Sequence, residues 1–519
     1  MTVAEANDVE VKKMRYVSST TIFLVLLIPI LTAATVTSVS APGDLDLTFS
    51  GDGKLTDWEG YATGVVIQPD GKIVVAFGPD FSVARYNTDG SRDTTFGGAG
   101  IVQEANFGPV TAIAIQSDGK IVAANSKSYY DFSDGVCYDS FVLTRYNPNG
   151  SRDTSFDNDG YVSTQVGIGE PGTCNSQLNS AAIQPDGKIV VAGSIADAFG
   201  VVRYNPDGSP DTTFGGGGPV TTSICADCHD QANSVAIQAD GKIVAVGGGF
   251  DKTNYPKFEV VRYNTDGSLD TTFDSDGRLT TDFWKGQYAT AVGIQGDGKV
   301  VAGGVVSGPF APHFALARYN SNGSLDTTFD SDGKVTTPMG LGGGVSSIAI
   351  QSDGKIIALG DTATGFDGNN SDFAIARYTS NGSLDSTYGG GGIATVDFDN
   401  PNDAPLAMAL DSAGRAVVVG ESFPNIAIAR LLPNLAEEVS ISGRVTTSNG
   451  RGLGNATVLF TDSLGVRRTA RTSTFGYYSF NNIPGDTYDI AISSKRYQFE
   501  PQTVLVNENL SGLDFVALE

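Results

Sequence analysis

Histidine is almost missing from this chain: 519 residues contain two, His229 and His313, beside two tryptophans, four cysteines and four methionines. So few imidazoles leave little room for histidine general-base chemistry. The chain also lacks a nucleophile elbow, a His-Glu-x-x-His pair and a phosphate-binding glycine loop. Basic side chains are scarce as well, with 33 Lys and Arg against 58 Asp and Glu, a formal charge of −25. A surface of that sign repels phosphate backbones, which excludes nucleic acid as a partner, and keeps an exported protein in solution. Long hydrophobic runs are absent apart from one near the N-terminus. What is abundant is glycine, at 65 residues, with only 18% charged residues, the composition of a turn-rich β protein.

The single apolar run, Ile22 to Leu31, follows Lys12, Lys13 and Arg15 and precedes small residues up to Ala41. Charged, apolar, then small is the order of a secretory signal, and the run is too short to span a bilayer comfortably. Residues 1–41 therefore read as a signal peptide, with Met14 an alternative start and cleavage near Ala34 or Ser40. A retained anchor is the other reading. No second such segment occurs, so the mature chain is expected to lack a membrane span and to be secreted, periplasmic or at the cell surface.

Beyond the leader, one phrase recurs seven times. Variants of QPDGKIVVAG place glycines at Gly71, Gly119, Gly187, Gly241, Gly298, Gly354 and Gly414, at spacings of 48, 68, 54, 57, 56 and 60. A second phrase, RYNxDGSLDTTF, alternates with it. In residues 231–282, Asn233 to Gln238 and Lys242 to Gly247 flank an Asp-Gly turn. Phe258 to Asn264 gives a third strand before a second Asp-Gly, and Gly277 to Thr281 a fourth. Asp-Gly between alternating runs is a hairpin signal, and four strands make one propeller blade. The last repeat stops after three strands, Leu406 to Leu410, Ala416 to Gly420 and Ile426 to Leu431. Its missing part stands at the front of the mature chain, Gly43 to Asp57. The expectation is an all-β, seven-bladed β-propeller over 43–432, closed by its N-terminal strand. These phrases resemble the bacterial delta-60 repeat, a propeller-type repeat of exported proteins. The resemblance implies fold and export but no active site. The seventh turn, Asp411 to Arg415, departs from it by one extra residue and an arginine.

Each third strand carries an arginine: Arg85, Arg145, Arg203, Arg262, Arg318, Arg377 and Arg430. Each DTTF phrase carries an aspartate: Asp46, Asp93, Asp153, Asp211, Asp270, Asp326 and Asp385. Chemistry repeated seven times round a ring is better explained as one structural ion pair per blade, at the blade interface, than as catalysis. The segments 157–160, 274–277 and 330–333 look like fragments of calcium loops, but the matching positions 97–100, 215–218 and 389–392 are glycine-rich. A ligand loop cannot exchange its carboxylates for glycine, whereas a turn with positive φ can, so no metal is expected there.

Trp58, Trp284, Cys174, Cys225, Cys228 and His229 are read in blade-to-blade loops, and Cys137 and His313 in loops joining second and third strands. Those two loop classes share one face, so this variable face is the expected ligand face, with Trp58, Trp284 and His313 as contacts. Four cysteines in an exported chain favour disulfides, with Cys137 and Cys174 on neighbouring loops. Cys225, Cys228 and His229 also spell CxxCH, the attachment pattern of a c-type haem. Local disulfide or thiols, one c-type haem, or another metal are the alternatives there, the first leading and no cofactor expected.

After Pro433, a linker over 433–438 leads to residues 439–519. VSISGRV, ATVLFTD, RRTART, YYSFNN, TYDIAISS, QTVLV and LDFVALE read as seven strands of a small β-sandwich. Gly443 to Val445, Gly476 to Phe480 and Ile483 to Tyr488 resemble the carboxypeptidase regulatory-like (prealbumin-type) domain, which implies a non-catalytic spacer or adhesion unit. The whole is expected to be a monomeric, exported, non-enzymatic scaffold presenting its variable face to a glycan or extracellular protein. The alternatives are a haem redox protein and a secreted propeller hydrolase or lyase.

Overall fold

The computed structural model of the protein describes residues 41–518 apart from 106, 134, 170–173, 175, 225–227, 251–255, 284–285, 308–310, 364–369, 434–438, 462–466, 484–485 and 507–508. The leader, Cys225, Trp284 and most of the 433–438 linker lie outside the described residues. No helix among those described is long and apolar enough to cross a membrane.

Between Lys54 and Leu431 the chain forms seven antiparallel four-stranded sheets, here called blades. Blade 1 is Tyr61–Ile67, Ile73–Gly78, Phe81–Tyr86 and Ile101–Glu104. Blade 2 is Ala112–Ile115, Ile121–Asp131, Val136–Tyr146 and Tyr161–Gly169. Blades 3 to 6 follow over 177–222, 229–281, 287–338 and 345–396. Blade 7 takes Asp403–Leu410, Ala416–Ser422 and Asn425–Leu431 from the end of the array and Lys54–Glu59 from its start, with Lys54 opposite Ala429 and Asp57 opposite Ile426. Blades 7 and 1 share one core cluster, in which Ala62, Val75 and Tyr86 pack with Val417, Val419 and Ile428. The second and third strands are buried on both faces, which is why they read as continuous apolar runs.

The repeated phrases are explained by what they touch. In blade 1 the Arg85 Nε donates to Asp93 Oδ2 at 2.8 Å, and Lys72 of the QPDGK turn reaches the same oxygen at 2.8 Å. The equivalent contacts are 2.7 Å in Arg145–Asp153, Arg203–Asp211 and Arg262–Asp270, 2.8 Å in Arg318–Asp326 and Arg430–Asp46, and 3.0 Å in Arg377–Asp385. The pair lies inside one blade, and the arginine's remaining donor makes the interface. Arg203 Nη1 donates to the Thr265 carbonyl of the next blade at 2.6 Å; Arg85 meets Pro148, Arg145 meets Pro206, Arg318 meets Ser380, and Arg430 meets Thr88 across the closure. The glutamine of QPDGK adds a second link: Gln68 Nε2 donates to the Gly119 carbonyl one blade on at 3.1 Å. The phenylalanine of DTTF lies under the guanidinium and against the next blade's Asp-Gly turn. A Cβ on Gly267, at φ 87°, would meet Phe214 at 3.1 Å and the Gly215 nitrogen at 2.9 Å, so only glycine fits.

The turns compared above with calcium loops are αL pairs. Asp274 and Ser275 have φ of 48° and 66°, and Gly97 and Gly98 in blade 1 have 58° and 84°. Asp276 Oδ1 accepts the Arg278 N–H at 2.9 Å, a turn-capping bond.

Residues from Val439 to Val516 form two further four-stranded sheets enclosing a core of Ile441, Val458, Phe460, Tyr478 and Tyr488. The count is eight strands rather than seven, because the C-terminal stretch adds two short strands, Leu510–Ser511 and Phe515–Val516, both parallel to Val439–Thr446.

Burial alone would raise the seven repeat aspartates; hydrogen bonds from Thr or Ser and from Lys (Arg415 at Asp46), with the arginine charge, outweigh it and hold them low, Asp153 and Asp385 at about 2. A carboxyl depressed below the ordinary ~3.9 adds stability above that pH and loses it as pH falls through the folded value. The propeller is expected to hold to about pH 4 and unfold as acid is added toward pH 2. Asp270→Asn, which strands Arg262 and Lys242, is expected to cost about 3 kcal/mol or more in urea melts. A variant melting like the wild type would refute the role given to this pair.

Candidate ligand-binding face

Turns joining strands one to two and three to four carry the repeated Asp-Gly phrases and lie at one end of each blade. Loops joining strands two to three, and each blade to the next, lie at the other. Blade 2 departs most from the others at that end. Its second and third strands run for 11 residues each, against six to eight elsewhere, so this hairpin stands above its neighbours. The first five residues of Ile121–Asp131 are buried; the rest emerge. Tyr129, Tyr138 and Ile168 form one cross-strand row, and Tyr130, Cys137 and Gly169 the next. Tyr129 is 59% exposed, Ile168 69% and Phe132, at the tip, 90%. The Phe132 ring packs edge-on against Tyr130, with centroids 4.7 Å apart.

The raised hairpin is fixed from the side. Cys137, buried in its third strand, is disulfide-bonded to Cys174 in the loop entering blade 3, with Cα atoms 5.9 Å apart. The buried Asp139 accepts the Ser128 hydroxyl at 2.6 Å and the Ser176 N–H at 3.0 Å, fastening the same loop again.

Trp58 and His313 take other places than loops. Trp58 is the penultimate residue of Lys54–Glu59, the outermost strand of blade 7, at its register shift. It is half-buried at the rim, with the Arg92 guanidinium 4.0 Å over its ring. Arg92 Nε also binds Asp57 at 2.8 Å, and Asp57 accepts the Tyr86 hydroxyl at 3.0 Å, so Trp58 belongs to the seam between blades 7 and 1. His313 is the second residue of Pro312–Tyr319, opposite Val306 and Pro338. These strands extend further than alternation suggested because the pairing continues into what read as loop.

The same extension takes in His229, the first residue of His229–Ile237. Its Nδ1 lies 2.9 Å from Asp197 Oδ1 on the neighbouring blade. Cys228 is disulfide-bonded, and Cys225 is outside the described residues. Beneath this loop the buried Asp230 accepts the Ile224 N–H at 2.7 Å. Across the sheet lies the buried Glu259, whose Oε2 has no hydrogen-bond partner. Burial, and then the Asp230 charge, push the Glu259 carboxyl up to about 8.

Among the described residues one acidic group could hold a cation: Asp372, Asp397 and Asp403 bring carboxylate oxygens within 4.8 Å of one another. Lys54 flanks it, 2.8 Å from the Asp397 carbonyl and 3.7 Å from Asp399. A further feature is the axial channel, a cavity of about 240 Å³ lined by the first strand of every blade.

Comparison with known proteins agrees with the repeat phrases. A family described as a domain of unknown function (DUF5122) beta-propeller matches residues 68–96, 116–156, 184–214, 238–273, 295–329 and 351–388. The chain belongs to this β-propeller family. The matched stretches are six; the seventh repeat, with its divergent turn and borrowed strand, lies beyond them. The carboxypeptidase regulatory-like domain matches residues 440–517. No curated protein matches. Among solved structures, the extracellular domain of a putative hybrid two-component system from B. thetaiotaomicron is 12% identical, with a TM-score of 0.36, covering 86% of this chain and 51% of that one. The chain thus spans about half the length of that structure. A protein of unknown function from Dyadobacter fermentans is 13% identical, with a TM-score of 0.40, over 73% of this chain and 98% of its own. YCF48 from Cyanidioschyzon merolae is 11% identical, with a TM-score of 0.38, over 73% and 98%.

Tyr129, Phe132 and Ile168 were not among the residues expected to bind. The signal was the 68-residue spacing between Gly119 and Gly187, the longest in the array, filled by an aromatic SYYDF.

For Glu259 the sign of the pH effect is set by a folded value above the ordinary ~4.3. The unfolded chain gives up this proton first, so stability falls as pH rises from about 4 to about 8. Glu259→Gln is expected to raise the melting temperature at pH 8 and to leave it unchanged near pH 4. Equal melting of the two proteins at pH 8 would show that Glu259 ionises freely.

Proposed function

We propose that this protein is an exported, non-enzymatic binding scaffold whose propeller presents the raised blade 2 hairpin to an extracellular glycan or protein. The observation that carries the reading is the exposed Tyr129 and Phe132 on a hairpin braced by the Cys137–Cys174 disulfide, with exposed Ile168 on the adjoining fourth strand. Aromatic side chains offer large flat contact area at small entropic cost, and bracing lowers the ordering cost of binding further. Disulfides belong to oxidising compartments, which supports export and a secreted, periplasmic or cell-surface location. The regulatory-like sandwich fits a spacer between propeller and surface. In this reading Cys228 is a structural disulfide cysteine and His229 a partner of Asp197, so no haem is needed.

The intact protein on a glycan array, and in pull-downs from the surface of its own cells, is expected to bind through the hairpin. Tyr129→Ser with Phe132→Ser should weaken that binding about tenfold or more, the scale of a lost aromatic anchor. Trp58→Ala should instead lower stability and spare binding. Retention of full affinity by the hairpin variant would refute the reading. Intact mass tests the cofactor separately: the expected value is the processed chain less four hydrogens, and a haem-sized increment would overturn it.

A further inference from the structure

Six of the seven inner strands carry a register shift followed by a small residue facing the axis, and their pattern singles out one ring of side chains. The shifts between Ala62 and Gly64, Leu178 and Ser180, Ala232 and Ser234, Ala289 and Ala291, and Val345 and Ser347 leave Thr63, Asn179, Asn233, Thr290 and Ser346 as bulged residues. Blade 7 has the same shift at Leu406, between Pro405 and Ala407, and Thr111 occupies the equivalent place in blade 2. A β-bulge re-aims its extra side chain, and all seven of these residues line the axial cavity.

The hydrogen-bond ledger of this ring is one-sided. Asn179 and Asn233 donate to the Ala232 and Ala289 carbonyls of the next blade at 2.9 and 2.7 Å, and Thr290 likewise donates to Val345. Thr111 and Ser346 donate to carbonyls of their own blades, Ala124 and Leu359, each at 3.2 Å. The hydroxyl oxygens of Thr111, Thr290 and Ser346 and the Oδ1 of Asn179 remain as acceptors, whereas Asn233 Oδ1 already accepts from Gln231 Nε2 at 2.7 Å. Thr63 Oγ1 is buried and has no hydrogen-bond partner at all. Beyond the ring the lining turns small and then apolar, at Val65, Ile113 and Met408, and no charged side chain lines the cavity.

We propose that the axial channel is a binding site for a neutral, polyhydroxylated small molecule of the size of a single sugar ring. Such a molecule donates hydroxyl hydrogens at its edge, where the ring supplies acceptors, and presents C–H groups to the apolar floor. A cavity of about 240 Å³ falls below the ~300–1,000 Å³ of drug-sized pockets and suits one ring rather than an oligosaccharide. A charged analogue would be desolvated there without a counter-charge. The inference does not rest on the blade 2 hairpin, and the hairpin variants are expected to leave it untouched.

The test is calorimetric titration of the intact protein with D-glucose, D-galactose, D-mannose and D-xylose, and with glucuronate and glucosamine as charged counterparts. At least one neutral sugar is expected to bind, with its charged counterpart about tenfold weaker or worse. Leu406→Trp fills the channel from its half-open apolar position and should abolish binding with the melting temperature unchanged. Thr63→Val keeps the shape, removes the unpartnered hydroxyl and should weaken binding about fivefold. No heat with any neutral sugar at millimolar concentration, charged sugars binding as well as neutral ones, or binding that survives Leu406→Trp would each overturn the proposal.

Discussion

The propeller depends on one arginine per blade. In a low-dielectric interior a guanidinium is held by opposite charge and hydrogen bonds, and in most blades each direction does a different structural job, whereas Arg377 keeps only its Nη2 contacts and leaves Nε and Nη1 without a partner. One nitrogen holds the aspartate eight residues on, which fixes the path from third to fourth strand. Another reaches a turn carbonyl on the next blade, which sets the angle between blades. The flat face covers the phenylalanine that the next blade's glycine turn packs against. Angular spacing in a ring must be met at every interface or the ring cannot shut. Repeating one rigid connector meets that condition, and Arg430 with Asp46, 384 residues apart, carries the same connector across the closure.

That dependence explains what was legible in the sequence. Arg85, Asp93, Phe96 and the Asp-Gly turns recur because the interface geometry recurs, so the repeat could be read from their spacing and the closing strand from the phrase Leu45 to Phe49 standing alone at the front. Trp58 and His229 were misplaced for a complementary reason. Their strands run past the last repeated residue, and pairing through non-repeated residues is a tertiary outcome that alternation does not report. Rarity of type is a poor guide to exposure: a tryptophan at a seam offers more stability than surface. The hairpin was legible only as extra length, because which of its aromatics stay exposed depends on the disulfide and on Asp139, contacts that spacing alone does not show.

Where the repeat is strict, its residues are committed to holding the ring; freedom for recognition lies where the repeat is broken. Blade 2 breaks it by length, through the raised hairpin. The CADCH loop breaks it by chemistry, and its side chains are engaged within the protein: a disulfide at Cys228, exposed His229 held by Asp197, and buried Asp230 capping Ile224. Those contacts tie blade 3 to blade 4 on the face where no Arg connector reaches.

The channel ring shows that the fold's demand and the side chain's identity can be separated within one molecule. Bulges at matching positions in six blades are an architectural need: seven inner strands converge on an axis, and the local twist of a bulge relieves that crowding. Leu406 is an internal control. It keeps the bulge with an apolar side chain, 40% exposed, and blade 7 remains intact around it, with Pro405 opposite Gly420 and Ala407 opposite Val419. The bulge therefore does not require a hydroxyl or an amide. An apolar residue would spare the fold the cost of burying a polar atom such as Thr63 Oγ1 without a partner. Asn179, Asn233 and Thr290 use their donors to link neighbouring blades, but the Thr63 hydroxyl links nothing, and that unused polar atom beside the hydroxyl oxygens on one axis is what a ligand with hydroxyls would use.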